Sequence, residues 1–131
     1  MKIAIYGQYY KEEDERYVEE LLSTLNKHSI EFVIEKNYCS GLKKHIKIHT
    51  VKTFSSYKEL NNSFDFMLTI GGDGTILRAV TFIRDSNIPI VGINTGRLGF
   101  LATIQKDEIT NAIESLLKKQ FVVKERSLLS V

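Results

Sequence analysis

The segment Phe64-Asp65-Phe66-Met67-Leu68-Thr69-Ile70-Gly71-Gly72-Asp73-Gly74-Thr75 constrains the fold of this chain more than any other. Its apolar run reads as a strand. The run stops at three glycines set around one carboxylate, and a helical apolar spacing begins at Ile76. A strand, a tight turn and a helix N-terminus place backbone N–H groups and the positive end of a helix dipole beside a single acid. Such a turn is suited to holding phosphates with chemistry next to them.

Strands and helices alternate through the rest of the chain. Lys2 to Tyr6 reads as a buried strand and Gly7 to Tyr10 as a turn. Glu12 to His28 reads as a helix, with Tyr17, Val18, Leu21, Leu22 and Leu25 forming one apolar stripe. Glu12, Glu13, Asp14 and Glu15 crowd its first turn, where the dipole favours acids. Ile30 to Ile34 is a second strand, and a strand–helix–strand crossover makes a parallel pair. Asn37 to His45 reads as a short helix broken or entered at Gly41, Ile46 to Phe54 as a strand, and Tyr57 to Asn62 as another short helix.

The pattern sharpens after residue 63. Phe64 to Ile70 is a strand, and Thr75 to Asp85 is a helix with Ile76, Leu77, Val80 and Ile83 at helical spacing. Ile88 to Ile93 is a further strand, with Pro89 at its start, where a strand tolerates proline. Asp107 to Lys119 is a helix with Asp107 as N-cap, burying Ile109, Ile113, Leu116 and Leu117. The expected fold is α/β: an open, mostly parallel sheet flanked by helices.

With 131 residues the chain suits one domain with a real core, not comfortably two. A formal net charge of +2 is too small an excess to argue for nucleic acid. No apolar run approaches the ~18 residues that span a bilayer, so no membrane partner is expected. The N-terminus reads as a strand rather than a secretory signal. The single cysteine, Cys39, has no internal partner and fits a reducing cytoplasm; it reads as a small packed residue rather than a nucleophile.

Ligands of open α/β sheets bind beyond the strand C-termini. Two glycine loops fall there: Gly71–Thr75, and Asn94-Thr95-Gly96-Arg97-Leu98-Gly99 after the next strand. Only a helix separates the two strands, so the loops are expected to share one cleft. N–H groups near Gly74 and Thr75 are expected to be open to anionic oxygen. Asp73 accepts a proton from an attacking hydroxyl or helps to hold magnesium. Arg78, about one turn beyond Gly74, reaches back to offset phosphate charge. Asn94 presents an amide to a ligand or caps the loop backbone, and Thr95 and Gly96 offer further hydrogen bonds. Phe100 stacks on a base or plugs the core. The plainer alternative is a flexible Gly-Gly-Asp-Gly turn with an exposed acid.

Other patterns are weaker or missing. Lys43, Lys44, His45, Lys47 and His49 form a basic run that reads as a solvated face, with a remote phosphate contact as the alternative. There is no Gly-x-x-x-x-Gly-Lys-Ser/Thr loop, and Gly92, Gly96 and Gly99 lack dinucleotide-fold spacing. No His, Cys and acid set has metal-ligand spacing.

Gly71-Gly72-Asp73-Gly74-Thr75 followed by Asn94-Thr95-Gly96-Arg97-Leu98-Gly99-Phe100-Leu101 resembles the paired signatures of NAD kinases in order and spacing. The resemblance is sharp from about Phe64 to Ala102. It implies phosphorylation of the 2′-hydroxyl of the adenosine ribose of NAD, with ATP or polyphosphate as donor and a divalent metal, Mg2+ foremost. By resemblance Asp73 is the proton acceptor for that hydroxyl, Gly74 belongs to the dinucleotide contact surface, Arg78 is a basic NAD contact, and Phe100 packs by the adenine.

The same resemblance implies homo-oligomers with shared sites and a second, mostly β domain. Residues 1–124 are then the α/β domain and 125–131 the start of the next, and the chain by itself is expected to be inactive. Two alternatives stand beside this reading. A diacylglycerol- or sphingosine-type lipid kinase shares only the first loop, and a nucleotide-binding module would do without turnover.

Overall fold

The structure is a computed structural model that describes residues 1–48, 51–61, 63–95 and 104–118. Six strands are described: β1 Lys2–Gly7, β2 Glu31–Glu35, β3 Lys52–Phe54, β4 Phe66–Gly71, β5 Ile90–Asn94 and β6 Ile104–Gln105. They form one sheet in the order β3-β2-β1-β4-β5-β6, and every pairing is parallel. Four α-helices accompany them: α1 Glu15–Lys27, α2 Lys36–Lys43, α3 Asp73–Ile83 and α4 Ile109–Leu117.

Alternation along the strands divides the core into two layers. Ile3 and Ile5 of β1 and Phe66, Leu68 and Ile70 of β4 meet α1, α2 and α4, through side chains that include Leu21, Leu25, Leu42 and Ile113. Ala4 and Tyr6 of β1 and Met67 of β4 turn the other way, against Ala79 and Ile83 of α3. Each fully buried Leu or Ile in these layers stabilises the fold by about 1.5–3 kcal/mol. The chain leaves β1 for one face and β4 for the other. The crevice between their C-terminal ends is therefore the switch point of the sheet, where such folds take their ligands.

Several boundaries differ from the sequence expectation. The first helix is a 3-10 turn over Glu12–Asp14 that leads into α1, and Asp14 is buried. The strand read over Ile46–Phe54 is confined, among the described residues, to Lys52–Phe54. The short helix read over Tyr57–Asn62 is a single 3-10 turn, Tyr57–Glu59. The glycine-loop helix starts two residues early, at Asp73, and its α-helical part ends at Ile83. Its inward face is Ile76, Ala79 and Ile83, whereas Leu77 is 53% exposed. Asp107 is not the N-cap of the last helix; it sits in a 3-10 turn, Lys106–Glu108, and α4 begins at Ile109. Leu117 is half-buried.

Local chemistry fixes α2. The Glu35 carboxylate accepts the N–H groups of Asn37 at 2.9 Å and Tyr38 at 3.0 Å, which satisfies the start of a helix that Gly41 enters without breaking. Cys39 is buried in this helix, and burial pushes its thiol pKa up, as suits a packed residue rather than a nucleophile. No described helix is long and apolar enough to cross a membrane.

Candidate functional site

The turn after β4 is shaped by backbone geometry. Gly71 adopts φ +145°, a conformation that residues with a Cβ rarely reach, and a Cβ there would collide with the Thr75 hydroxyl. Thr75 is buried and packs beneath the turn. Its N–H donates to the Gly72 carbonyl at 3.1 Å, and that of Ile76 donates to the same oxygen at 3.3 Å. The expectation that the Thr75 N–H is open to a ligand is thus corrected, because the tight turn has already used it. Gly74, exposed and second in α3, is a position whose N–H has no intrahelical acceptor.

Asp73 is the first residue of α3 and is half-buried. It sits where the helix dipole favours the ionised carboxylate. The chain beyond β1 borders the same spot: the Gln8 side-chain oxygen lies 4.0 Å from where a Cβ on Gly74 would be. Arg78, on α3, lies near enough to the Tyr6 phenol at the end of β1 to act on it electrostatically. Burial pushes the Tyr6 phenol pKa up, and Arg78 offsets part of that rise.

The second loop leaves β5 beside the first. Asn94 stands in register with Gly71 and is 1% exposed. Thr95 donates its N–H to the Gly71 carbonyl at 3.2 Å, which links the two loops directly. The structure thus brings Gly71, Gly72, Asp73, Gly74, Thr75, Arg78, Asn94 and Thr95 to one end of the sheet. Gly96, Phe100 and the rest of 96–103, like the stretch 125–131, lie outside the described residues.

Asp14 was not singled out from the sequence. It is 4% exposed. Burial pushes its pKa up, while nearby Thr95 and Lys11 oppose the rise. A signal was present, since positions 14, 18, 21 and 25 fall on one helical stripe, in which Asp14 is the polar member. The basic run is exposed at Lys43, Lys44, His45 and Lys47, and His45 stacks on Tyr10 at 4.5 Å; His49 lies outside the described residues.

Among the described residues no group of three or more His, Cys, Asp and Glu gathers around a point that could hold a metal ion. A magnesium ion carried with nucleotide phosphates needs only one or two carboxylates, so Asp73 fits that donor set.

A family model described as the ATP-NAD kinase N-terminal domain matches residues 3–121. The chain belongs to this family. Relatives named NAD kinase are 49% identical in Christiangramia forsetii and 44% identical in Flavobacterium johnsoniae, each over 100% of this chain and 45% of the relative. The chain therefore spans about half the length of these NAD kinases. The crystal structure of yeast NADH kinase complexed with NADH superposes with a TM-score of 0.76, covering 92% of this chain and 38% of that one. At 18% identity that likeness shows the fold alone.

Proposed function

We propose that the protein carrying this chain is an NAD kinase that transfers the γ-phosphoryl group of ATP to the adenosine-ribose 2′-hydroxyl of NAD. The observation that carries the reading is the joining of the two signature loops at the switch point, with Asp73 on the first residue of α3. In this reading an Asp73 carboxylate oxygen takes the hydroxyl proton as the ribose oxygen bonds to the γ-phosphorus and ADP leaves. Gly71, Gly72 and Gly74 let the dinucleotide approach the backbone. Thr75 supports the turn from below, and Arg78 lends positive charge at the cleft edge. Asn94, Thr95, Gly96 and Phe100 complete the NAD side. A divalent metal bound with the nucleotide would neutralise phosphate charge.

The same proposal places the protein in the cytoplasm as a homo-oligomer. It takes residues 1–124 as the α/β domain, with further nucleotide contacts supplied from outside this chain. The deciding experiment measures NADP formation from NAD, ATP and magnesium by the full-length gene product beside this chain, with diacylglycerol offered in parallel. NADP from the full-length protein alone supports the whole reading. Phosphorylation of the lipid and not of NAD replaces it.

A further inference from the structure

We infer that Gln8, the residue after β1, is a substrate-contacting residue whose side-chain oxygen accepts a hydrogen bond from the adenosine-ribose 3′-hydroxyl of NAD. The inference rests on the NAD kinase reading for the identity of the substrate, and on contacts for its geometry. A Cβ at position 7 would collide with the Tyr38 ring, one at 41 with Tyr10 and one at 71 with Thr75. Those three glycines are small because the protein's own side chains fill the space. Gly72 and Gly74 are different. A Cβ at 72 would have nothing within 4 Å, and one at 74 only the Gln8 side-chain oxygen, at 4.0 Å. The opening above this turn is therefore left for a ligand, and Gln8 borders it from across the crevice.

Position and polarity both suit this role. Gln8 follows Gly7, and Gly7 is in register with Ile70 near the end of β4, so Gln8 and the glycine turn leave neighbouring parallel strands at the same end of the sheet. Gln8 is half-buried. Its Nε2 donates to the Tyr9 hydroxyl at 3.4 Å, and its Oε1 is the atom beside Gly74. The amide thus turns an acceptor toward the opening. An acceptor pairs with a hydroxyl and is repelled by the acceptor oxygens of a phosphate. Asp73, between Gly72 and Gly74, takes the proton of the ribose 2′-hydroxyl in the kinase reading. The 3′-hydroxyl stands on the next ring carbon, and a ribose seated over the turn offers it to Gln8.

The test compares full-length wild type and Gln8→Ala, each with NAD and with its 3′-deoxyadenosine analogue. Two readouts are taken: kcat/KM for phosphorylation of the dinucleotide, and Kd by calorimetric titration without ATP. Gln8→Ala is expected to lower kcat/KM and raise Kd for NAD about three- to tenfold, as fits loss of one neutral hydrogen bond. With the analogue the same substitution should change either value by less than about twofold, because the two losses remove one contact. Gln8→Leu, which fills the space without an acceptor, should behave as Gln8→Ala does. Gln8→Glu, which keeps an acceptor oxygen, should retain the preference for NAD over the analogue. Replacing ATP by 3′-deoxy-ATP should cost wild type and Gln8→Ala the same factor.

Equal losses with NAD and the analogue in Gln8→Ala overturn the inference, as does no loss with either. A coupling that shows with 3′-deoxy-ATP and not with the NAD analogue also overturns it, and moves Gln8 to the ribose of the donor. If Gln8→Ala does not fold, Gln8→Leu and Gln8→Glu decide through the same readouts. A wild-type protein that binds NAD without phosphorylating it removes the kinase reading, whereas the Kd values still judge the Gln8 contact. One that binds no NAD overturns both.

Discussion

The Tyr38 ring fills the space that a side chain at position 7 would need. A Cβ on Gly7 would collide with three ring carbons of Tyr38, so the last residue of β1 is small because α2 packs across it. Gly7→Ala is expected to destabilise the domain by about 1–3 kcal/mol through overpacking. Urea unfolding measures this, and Gly7→Ala/Tyr38→Leu should recover part of the loss. An unshifted midpoint in the single variant would show that the ring moves aside freely.

Asp73→Asn tests the chemistry with little change of shape. In the full-length protein turnover should fall about 100- to 10,000-fold, the range for loss of a general base. The melting temperature should stay within a degree or two of wild type. Steady-state NADP formation and thermal unfolding on the same preparation check both parts. Turnover within twofold of wild type would remove Asp73 from proton transfer.

Stability should depend on pH through Asp14. Its pKa is raised in the folded protein, first by burial. A raised pKa means that the folded state prefers the protonated acid. That contribution is fully present below the unfolded carboxylate value and is lost as pH rises through the higher folded value. Asp14→Asn cannot ionise, so it should be at least as stable as wild type at pH 7, and its advantage should shrink as pH falls to 4. Melting curves at half-unit pH steps show the two proteins converging as pH falls, and parallel curves would refute the assignment.

Glu35 is a capping residue rather than a cleft residue. Its carboxylate is committed to the Asn37 and Tyr38 N–H groups. Glu35→Ala should therefore cost about 1–2 kcal/mol of stability, as loss of an N-cap does, and leave the NAD KM close to wild type. Glu35→Gln, which keeps one acceptor, should cost less. Denaturant titration paired with kinetics separates the two effects, and a large rise in KM with stability intact would place Glu35 in the site instead.

The sequence carried the central fold because strands buried on both faces leave continuous apolar runs. Lys2–Tyr6 and Phe64–Ile70 were legible for that reason, and the glycines at 71, 72 and 74 marked the turn from the second of them into α3. The periphery was harder to read. Lys52–Phe54 is too short for alternation to show, and Leu77 keeps the helical spacing of α3 while facing outward. In the site, residues joined by local turn chemistry were readable. The nearness of Asp14 and Thr95 was not, since it joins residues far apart in the chain whose meeting depends on strand order. Asp14 also hid among three neighbouring acids that suit a helix start equally well.

Strand order also bears on how the protein acquires its site. β1 and β2 can pair around α1 as a local unit, whereas β1 and β4 join Ile3 to Phe66, and Lys2 to Asp65 at a separation of 63 residues. Closing a loop of that length costs entropy before any contact repays it, and such pairings slow folding. The cleft opens between these two strands, so it exists only once that long loop has closed. An early β1-α1-β2 intermediate would hold Asp14 and Gln8 without the Gly71 turn or Thr95. Recovery of ligand binding during refolding should therefore lag behind recovery of helix, and the central strand pairing sets the delay.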